Sequence, residues 1–264
     1  MTDTDPAPVL ELRGLQKRYG SFEAVKGLDL TVNRGEIFGF LGPNGAGKTT
    51  TIRMVAGVLQ PSGGSVLIDG ADMEREPERA KAHIGYVPDR PYLYEKLTGA
   101  EFIRFVASLW EKDPGAAMER ASRLLRLFDL EAWRDELVES YSHGMRQKLL
   151  ITSALCHHPD LIVVDEPMVG LDPRSARILK DLLRAFVDGG GTVFLSTHTL
   201  EVAEALCDRL AIIQRGKVIA SGTMEELRTR SESGAAHLEE IFLEVTGGDA
   251  MADLVASLRG ALEV

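Results

Sequence analysis

Apolar residues along this chain recur at several spacings, and the changes of spacing outline its elements. Between Val9 and about Val32 apolar and polar positions alternate, as in Leu28-Asp29-Leu30-Thr31-Val32, which predicts antiparallel strands. Glu36-Ile37-Phe38-Gly39-Phe40-Leu41 is a compact apolar strand that runs straight into a glycine-rich turn. Helical spacing follows from Thr49 to Leu59, with Ile52, Val55, Ala56 and Leu59 on one face. Pro61-Ser62-Gly63-Gly64 then breaks the chain, and Ser65–Gly70 reads as a hairpin strand.

From about Asp89 to Cys156 the pattern turns helical. Glu101–Trp110 carries Phe102, Ile103, Phe105, Val106 and Leu109, a broad apolar surface, and Asp113-Pro114 reads as a capped helix start. Met118, Ala121, Leu125 and Phe128 continue at helical spacing. Leu161-Ile162-Val163-Val164 is apolar at every position, as expected of a strand covered on both faces of a parallel sheet, and Thr192–Thr197 is a second such strand. Ala211-Ile212-Ile213 and Val218-Ile219-Ala220 predict a hairpin. Thr223 and Glu226 form a capping box. Leu238, Ile241, Phe242 and Val245 make a helical stripe ending at Gly247-Gly248, and Met251 to Leu262 reads as one more amphipathic helix.

At 264 residues, 44% hydrophobic and 27% charged, the chain is globular, with no internal repeat or low-complexity tract. Its net charge of −10 argues against a nucleic-acid partner, which needs a basic footprint. Cys156 and Cys207 sit in apolar stretches and read as core thiols. The first residues show no secretory pattern, and no run of about 20 apolar residues occurs, so the expected location is cytoplasmic.

Between the Leu41 strand and the Thr49 helix lies Gly42-Pro43-Asn44-Gly45-Ala46-Gly47-Lys48-Thr49, the G-x-x-x-x-G-K-[ST] pattern of a P-loop. Its glycines let successive backbone N–H groups face one phosphate, and the helix start adds its positive end. Lys48 can reach the β- and γ-phosphates of ATP, and the Thr49 hydroxyl can hold Mg²⁺. The glycines do not fall as G-x-G-x-x-G, so a dinucleotide site is rejected. Asp165 and Glu166 close the Leu161 strand. Asp165 is placed to hold Mg²⁺, while strand alternation predicts that Glu166 points elsewhere, towards an attacking water. Read alone, Asp165-Glu166-Pro167 is also compatible with a solvated turn. His198 ends the next strand and reads either as a helix-entry residue or as an imidazole bridging the γ-phosphate and the carboxylate. His157 and His158 read as caps on a helix end.

Tyr141-Ser142-His143-Gly144-Met145 opens another helix, Met145–Leu155, with Ser142 as its cap and Gly144 allowing an anion to approach. One nucleotide does not need two such helix starts. Here the chain resembles the ATP-binding cassette (ABC) ATPases, specifically the exporter-type bacterial subfamily, over roughly Val9 to Ala220. Gly42–Thr50 resembles the Walker A motif and Leu161–Glu166 the Walker B motif. Tyr141–Met145 resembles the signature, as YSHGM where LSGGQ is usual. Gly170-Leu171-Asp172 resembles the D-loop, and His198 the switch histidine. Tyr19 stands where the family stacks an aromatic ring on adenine.

The resemblance implies an α/β P-loop core with an antiparallel β subdomain and a helical subdomain. It divides the chain into a nucleotide-binding domain over 8–235, with core 8–88 and 157–225 and helices over 89–156, and a helical tail over 236–264. It implies ATP hydrolysis with Glu166, His198 and Lys48 as the catalytic set. Nucleotide contacts come from Tyr19, Gly42 through Thr50, Ser142, Gly144 and Asp172. It further implies a second cassette, identical or not, set head to tail, and a separate transmembrane permease that holds the chain against the inner face of the cell membrane. Asp89 replaces the usual Q-loop glutamine, and a carboxylate there can join Thr49 and Asp165 on Mg²⁺. His143 replaces the first signature glycine. Arg90–Leu97 lies where the family receives a permease helix. A soluble non-transport ABC ATPase and a non-hydrolysing nucleotide sensor are the alternatives.

Overall fold

The computed structural model describes residues 8–110, 114–230 and 238–246. Its strands are β1 Leu10–Tyr19, β2 Phe22–Val32, β3 Ile37–Leu41, β4 Gly63–Ile68, β5 Ala71–Asp72, β6 Ile84–Val87, β7 Leu161–Asp165, β8 Thr192–Thr197, β9 Arg209–Gln214 and β10 Lys217–Thr223. The helices are α1 Lys48–Val55, α2 Pro77–Ala82, α3 Gly99–Trp110, α4 Pro114–Leu127, α5 His143–Leu155, α6 Pro173–Asp188, α7 Leu200–Leu206, α8 Met224–Arg230 and α9 Leu238–Thr246.

β1, β2, β4 and β5 form an antiparallel sheet in the order β2-β1-β4-β5. The other sheet runs β10-β9-β3-β8-β7-β6, with β9, β3, β8, β7 and β6 parallel and β10 antiparallel at the edge. Period-two alternation sorts its side chains between two cores. Phe38, Phe40, Leu161, Val163 and Phe194 join the core shared with the antiparallel sheet and α1. Ile37, Leu41, Ile162, Val164, Val193 and Leu195 join the core beneath the helices. Both faces being covered is why these strands are apolar throughout. The parallel sheet also fixes the site, because β3, β7 and β8 all end on one edge, and Gly42, Glu166 and His198 are the next residues on each.

Several boundaries differ from the pattern. α1 stops at Val55 rather than Leu59, because Gly57 adopts φ +66° and its N–H turns back to the Met54 carbonyl. Gly63 and Gly64 belong to β4 instead of breaking the chain. Gly64 has φ +78°, and a side chain there would strike the Gly14 carbonyl on β1. α5 begins at His143, two residues early, as a cap at Ser142 requires. His157, just past the end of α5, sets its Nε2 3.1 Å from the Ile84 carbonyl of β6. Only part of the broad α3 surface is buried, since Phe102, Ile103 and Ala107 lie in the core while Leu109 is 61% exposed. The capping box forms as read, with Thr223 N–H donating to Glu226 (3.0 Å) and Glu226 N–H to the Thr223 hydroxyl (3.2 Å). Both cysteines are buried thiols. The Asp113 cap, the Gly247-Gly248 stop and the 251–262 helix lie outside the described residues. Among the described residues no helix is long and apolar enough to cross a membrane.

Candidate functional site

The turn after β3 is shaped by what surrounds it. A Cβ at Gly42 would collide with the Ile213 carbonyl of β9, and one at Gly47, where φ is +111°, would stand 2.7 Å from the Ala24 carbonyl. Only glycine fits either position. Gly47 is also the N-cap of α1 and supplies no side-chain oxygen to its first N–H groups, which remain for a bound anion. Lys48 is buried, and its Nζ donates to the Gly42 carbonyl (2.7 Å) and the Pro43 carbonyl (3.3 Å). The same ammonium stands 3.5 Å from Glu166 Oε1.

Asp165 is fully buried at the end of β7. Its Oδ1 accepts the Ser196 hydroxyl of β8, while Oδ2 is buried without a hydrogen-bond partner. Burial pushes its carboxyl above the usual range. The Ser196 and Thr49 hydroxyls pull it down, and the charges of Asp89 and Glu166 push it further up. Glu166 lies just past the strand in the left-handed region, φ +51°, with its N–H bonded to the Ser196 hydroxyl at 3.2 Å. This departs from the expectation that pleat alternation aims it. The turn does so, bringing Oε2 to 2.9 Å from His198 Nδ1 and Oε1 to Lys48.

Asp89 Oδ1 is likewise buried without a hydrogen-bond partner, 3.8 Å from an Arg53 guanidinium nitrogen of α1. Two carboxylates each with an unbonded buried oxygen, one beside the Thr49 hydroxyl and the other lining the same cleft as Thr49, suit a hard divalent cation. Among the described residues no three His, Cys, Asp or Glu side chains converge as a ready-made cage. That donor set fits Mg²⁺, which keeps waters and phosphate oxygens in its shell.

A cleft of about 360 Å³ gathers Tyr19, Pro43 to Thr50 apart from Ala46, Asp89, Glu166 and His198. Gly42 lies outside its lining, tight against Ile213 of β9 and the Ala46 methyl group. Sequence reasoning missed Phe22, a wall of this cleft that is 63% exposed and pairs with Tyr19 across the β1–β2 turn. An aromatic two residues beyond Gly20 was the available signal. It also missed Ser196 and Arg53, which touch the two acidic groups from neighbouring elements.

Ser142, Gly144 and Asp172 do not line this cleft. Ser142 is exposed and accepts the Met145 N–H at 3.3 Å. Asp172 caps α6, accepting the Ser175 N–H at 2.9 Å and its hydroxyl. Those hydrogen bonds hold its carboxyl below the usual range.

A family model described as "ABC transporter" matches residues 25–169. The daunorubicin/doxorubicin resistance ATP-binding protein DrrA of Streptomyces peucetius is 43% identical over 236 residues, covering 89% of this chain and 72% of that protein. The linearmycin resistance ATP-binding protein LnrL of Bacillus subtilis (strain 168) is 37% identical over 222 residues, covering 84% and 71%. Among solved structures, an ATP-binding subunit of an ABC transporter matches with a TM-score of 0.86 at 34% identity, over 90% of this chain and 99% of that one.

Proposed function

This chain belongs to the ABC transporter family, as an ATP-binding and ATP-hydrolysing subunit, and from that premise we propose how its residues carry out the reaction. The carrying observation is that Glu166 touches both Lys48 and His198 on the edge of the sheet where the P-loop opens. Backbone N–H groups of Gly45 to Thr49 cradle the phosphates, and Tyr19 with Phe22 holds the base. Lys48 turns from the loop carbonyls to the β- and γ-phosphates. Thr49, Asp165 and Asp89 would hold Mg²⁺, which when bound would offset the phosphate charge. Glu166 accepts a proton from water as the water oxygen bonds to the γ-phosphorus and the bond to the ADP oxygen breaks. His198 orients Glu166 and donates to the γ-phosphate.

Ser142, Gly144 and Asp172 serve the nucleotide held by a second cassette set head to tail, which explains their absence from the chain's own cleft. ABC ATP-binding subunits dimerise and work with a transmembrane partner. We infer that the permease contact lies along Arg90–Leu97, where Tyr92 and Tyr94 are exposed. The partition into core 8–88 and 157–225, helices 89–156 and tail 236–264 belongs to the same reading, as does a position on the inner face of the membrane. The resistance names of two relatives favour export.

Replacing Glu166 by Gln tests the assignment. Turnover in the assembled complex should fall by about 10²-fold or more with ATP binding retained, as expected when a general base is lost. Equal rates in variant and wild type would remove Glu166 from the chemistry.

A further inference from the structure

His143, which stands where the signature usually has glycine, does not aim its ring at open solvent alone. A methyl group on Gly170 would collide with its imidazole, so the ring lies directly on the backbone of the loop after β7. Gly170 has φ +81°, a conformation favouring glycine, and the His143 ring closes the space a side chain would need. Two further ties join the same elements. A Cβ on Gly144 would stand 3.2 Å from the Gly170 carbonyl, and Lys148 Nζ of α5 lies 3.8 Å from Asp172 Oδ2. The loop itself is wound tightly back to Glu166, with Leu171 N–H on the Met168 carbonyl (3.3 Å) and Val169 N–H on the Glu166 carbonyl (3.2 Å).

We propose that His143 is a positioning residue whose ring locks the start of α5 to the 166–172 loop, so that signature and catalytic carboxylate are presented to a second cassette as one unit. This rests on the head-to-tail reading above. The ring acts by shape, because the surface it meets is the Cα of a glycine.

The test uses the full chain with its permease. His143→Gly should lower kcat roughly fivefold, with affinity of the isolated chain for a fluorescent ATP analogue unchanged, since contacting residues typically couple at this level. His143→Phe, which keeps a flat ring without the imidazole's protons, should stay within about twofold of wild type. Gly170→Ala should be far more damaging, and adding His143→Gly should recover roughly threefold of that loss by vacating the space. ATP-driven association in a Glu166→Gln background should weaken with His143→Gly and persist with His143→Phe.

A His143→Phe variant as impaired as His143→Gly would overturn the proposal, as would a His143→Gly variant indistinguishable from wild type or the absence of any rescue of Gly170→Ala. Failure of the Glu166→Gln parent to associate on ATP, with His143 intact, would instead bring down the two-cassette reading and this proposal with it.

Discussion

Asp165 is costly to the fold, and in the proposed mechanism it holds the metal. Its carboxylate is fully buried with one oxygen unpartnered, and burial together with Asp89 and Glu166 raises its pKa. A group raised in the folded state contributes its stability below the unfolded value of about 3.9 and loses it as pH rises through the folded value. At neutral pH the charged form therefore weakens the nucleotide-free protein. Asp165→Asn should melt at a higher temperature than wild type at neutral pH, with the gap closing as pH falls towards about 4. Thermal melts across that range check this, and a lower neutral melting point for the variant contradicts it. Turnover should be lost in the same variant. At Asp89, replacement by Gln keeps an oxygen but removes charge, and should raise the Mg²⁺ concentration for half-maximal turnover roughly two- to tenfold. An unchanged Mg²⁺ titration would deny Asp89 a place on the metal. That Lys48, Thr49, Asp165 and Glu166 would come together was legible, because each directly follows or ends an apolar strand of the parallel sheet or opens the helix after it. The left-handed turn at Glu166 was not, since nothing in Asp165-Glu166-Pro167 distinguishes pleat from turn, and Ser196 acts from a strand 31 residues away.

At the scale of elements, legibility followed how local the determinant is. The β3, β7 and β8 segments could be read because burial on both faces leaves continuous apolar runs. The capping box at Thr223 could be read because both its hydrogen bonds lie within four residues. Thr223→Ala should cost about 1 kcal/mol of stability, a typical cap loss, seen as a lower urea midpoint with unchanged m-value. An unaltered midpoint would mean that α8 is held without its cap, by Leu227 in the core and by Arg228 and Arg230 bonding to Glu204 and the Ser221 carbonyl. The end of α1 was misread because Leu59 continues the helical spacing past Gly57, whose positive φ is set by the turn it makes. The glycines of β4 were misread for the converse reason: their fit depends on β1, some fifty residues earlier.

For the whole molecule, parallel strand order does the assembling. β3, β7 and β8 are adjacent although their sequence positions are far apart, so the P-loop, the carboxylates and His198 meet at their carboxyl ends. The same topology leaves Ser142, Gly144 and Asp172 outside that cleft. On the proposed head-to-tail arrangement one chain alone does not complete the site, and the decisive measurement mixes two defective chains in the assembled complex. Lys48→Ala and Ser142→Ala should each be inactive alone. Mixed in equal amounts they should recover about a quarter of wild-type turnover, since half the pairs are mixed and each holds one intact site of two. A mixture as inactive as its components, with mixed pairs shown to form, would contradict a site shared between two chains.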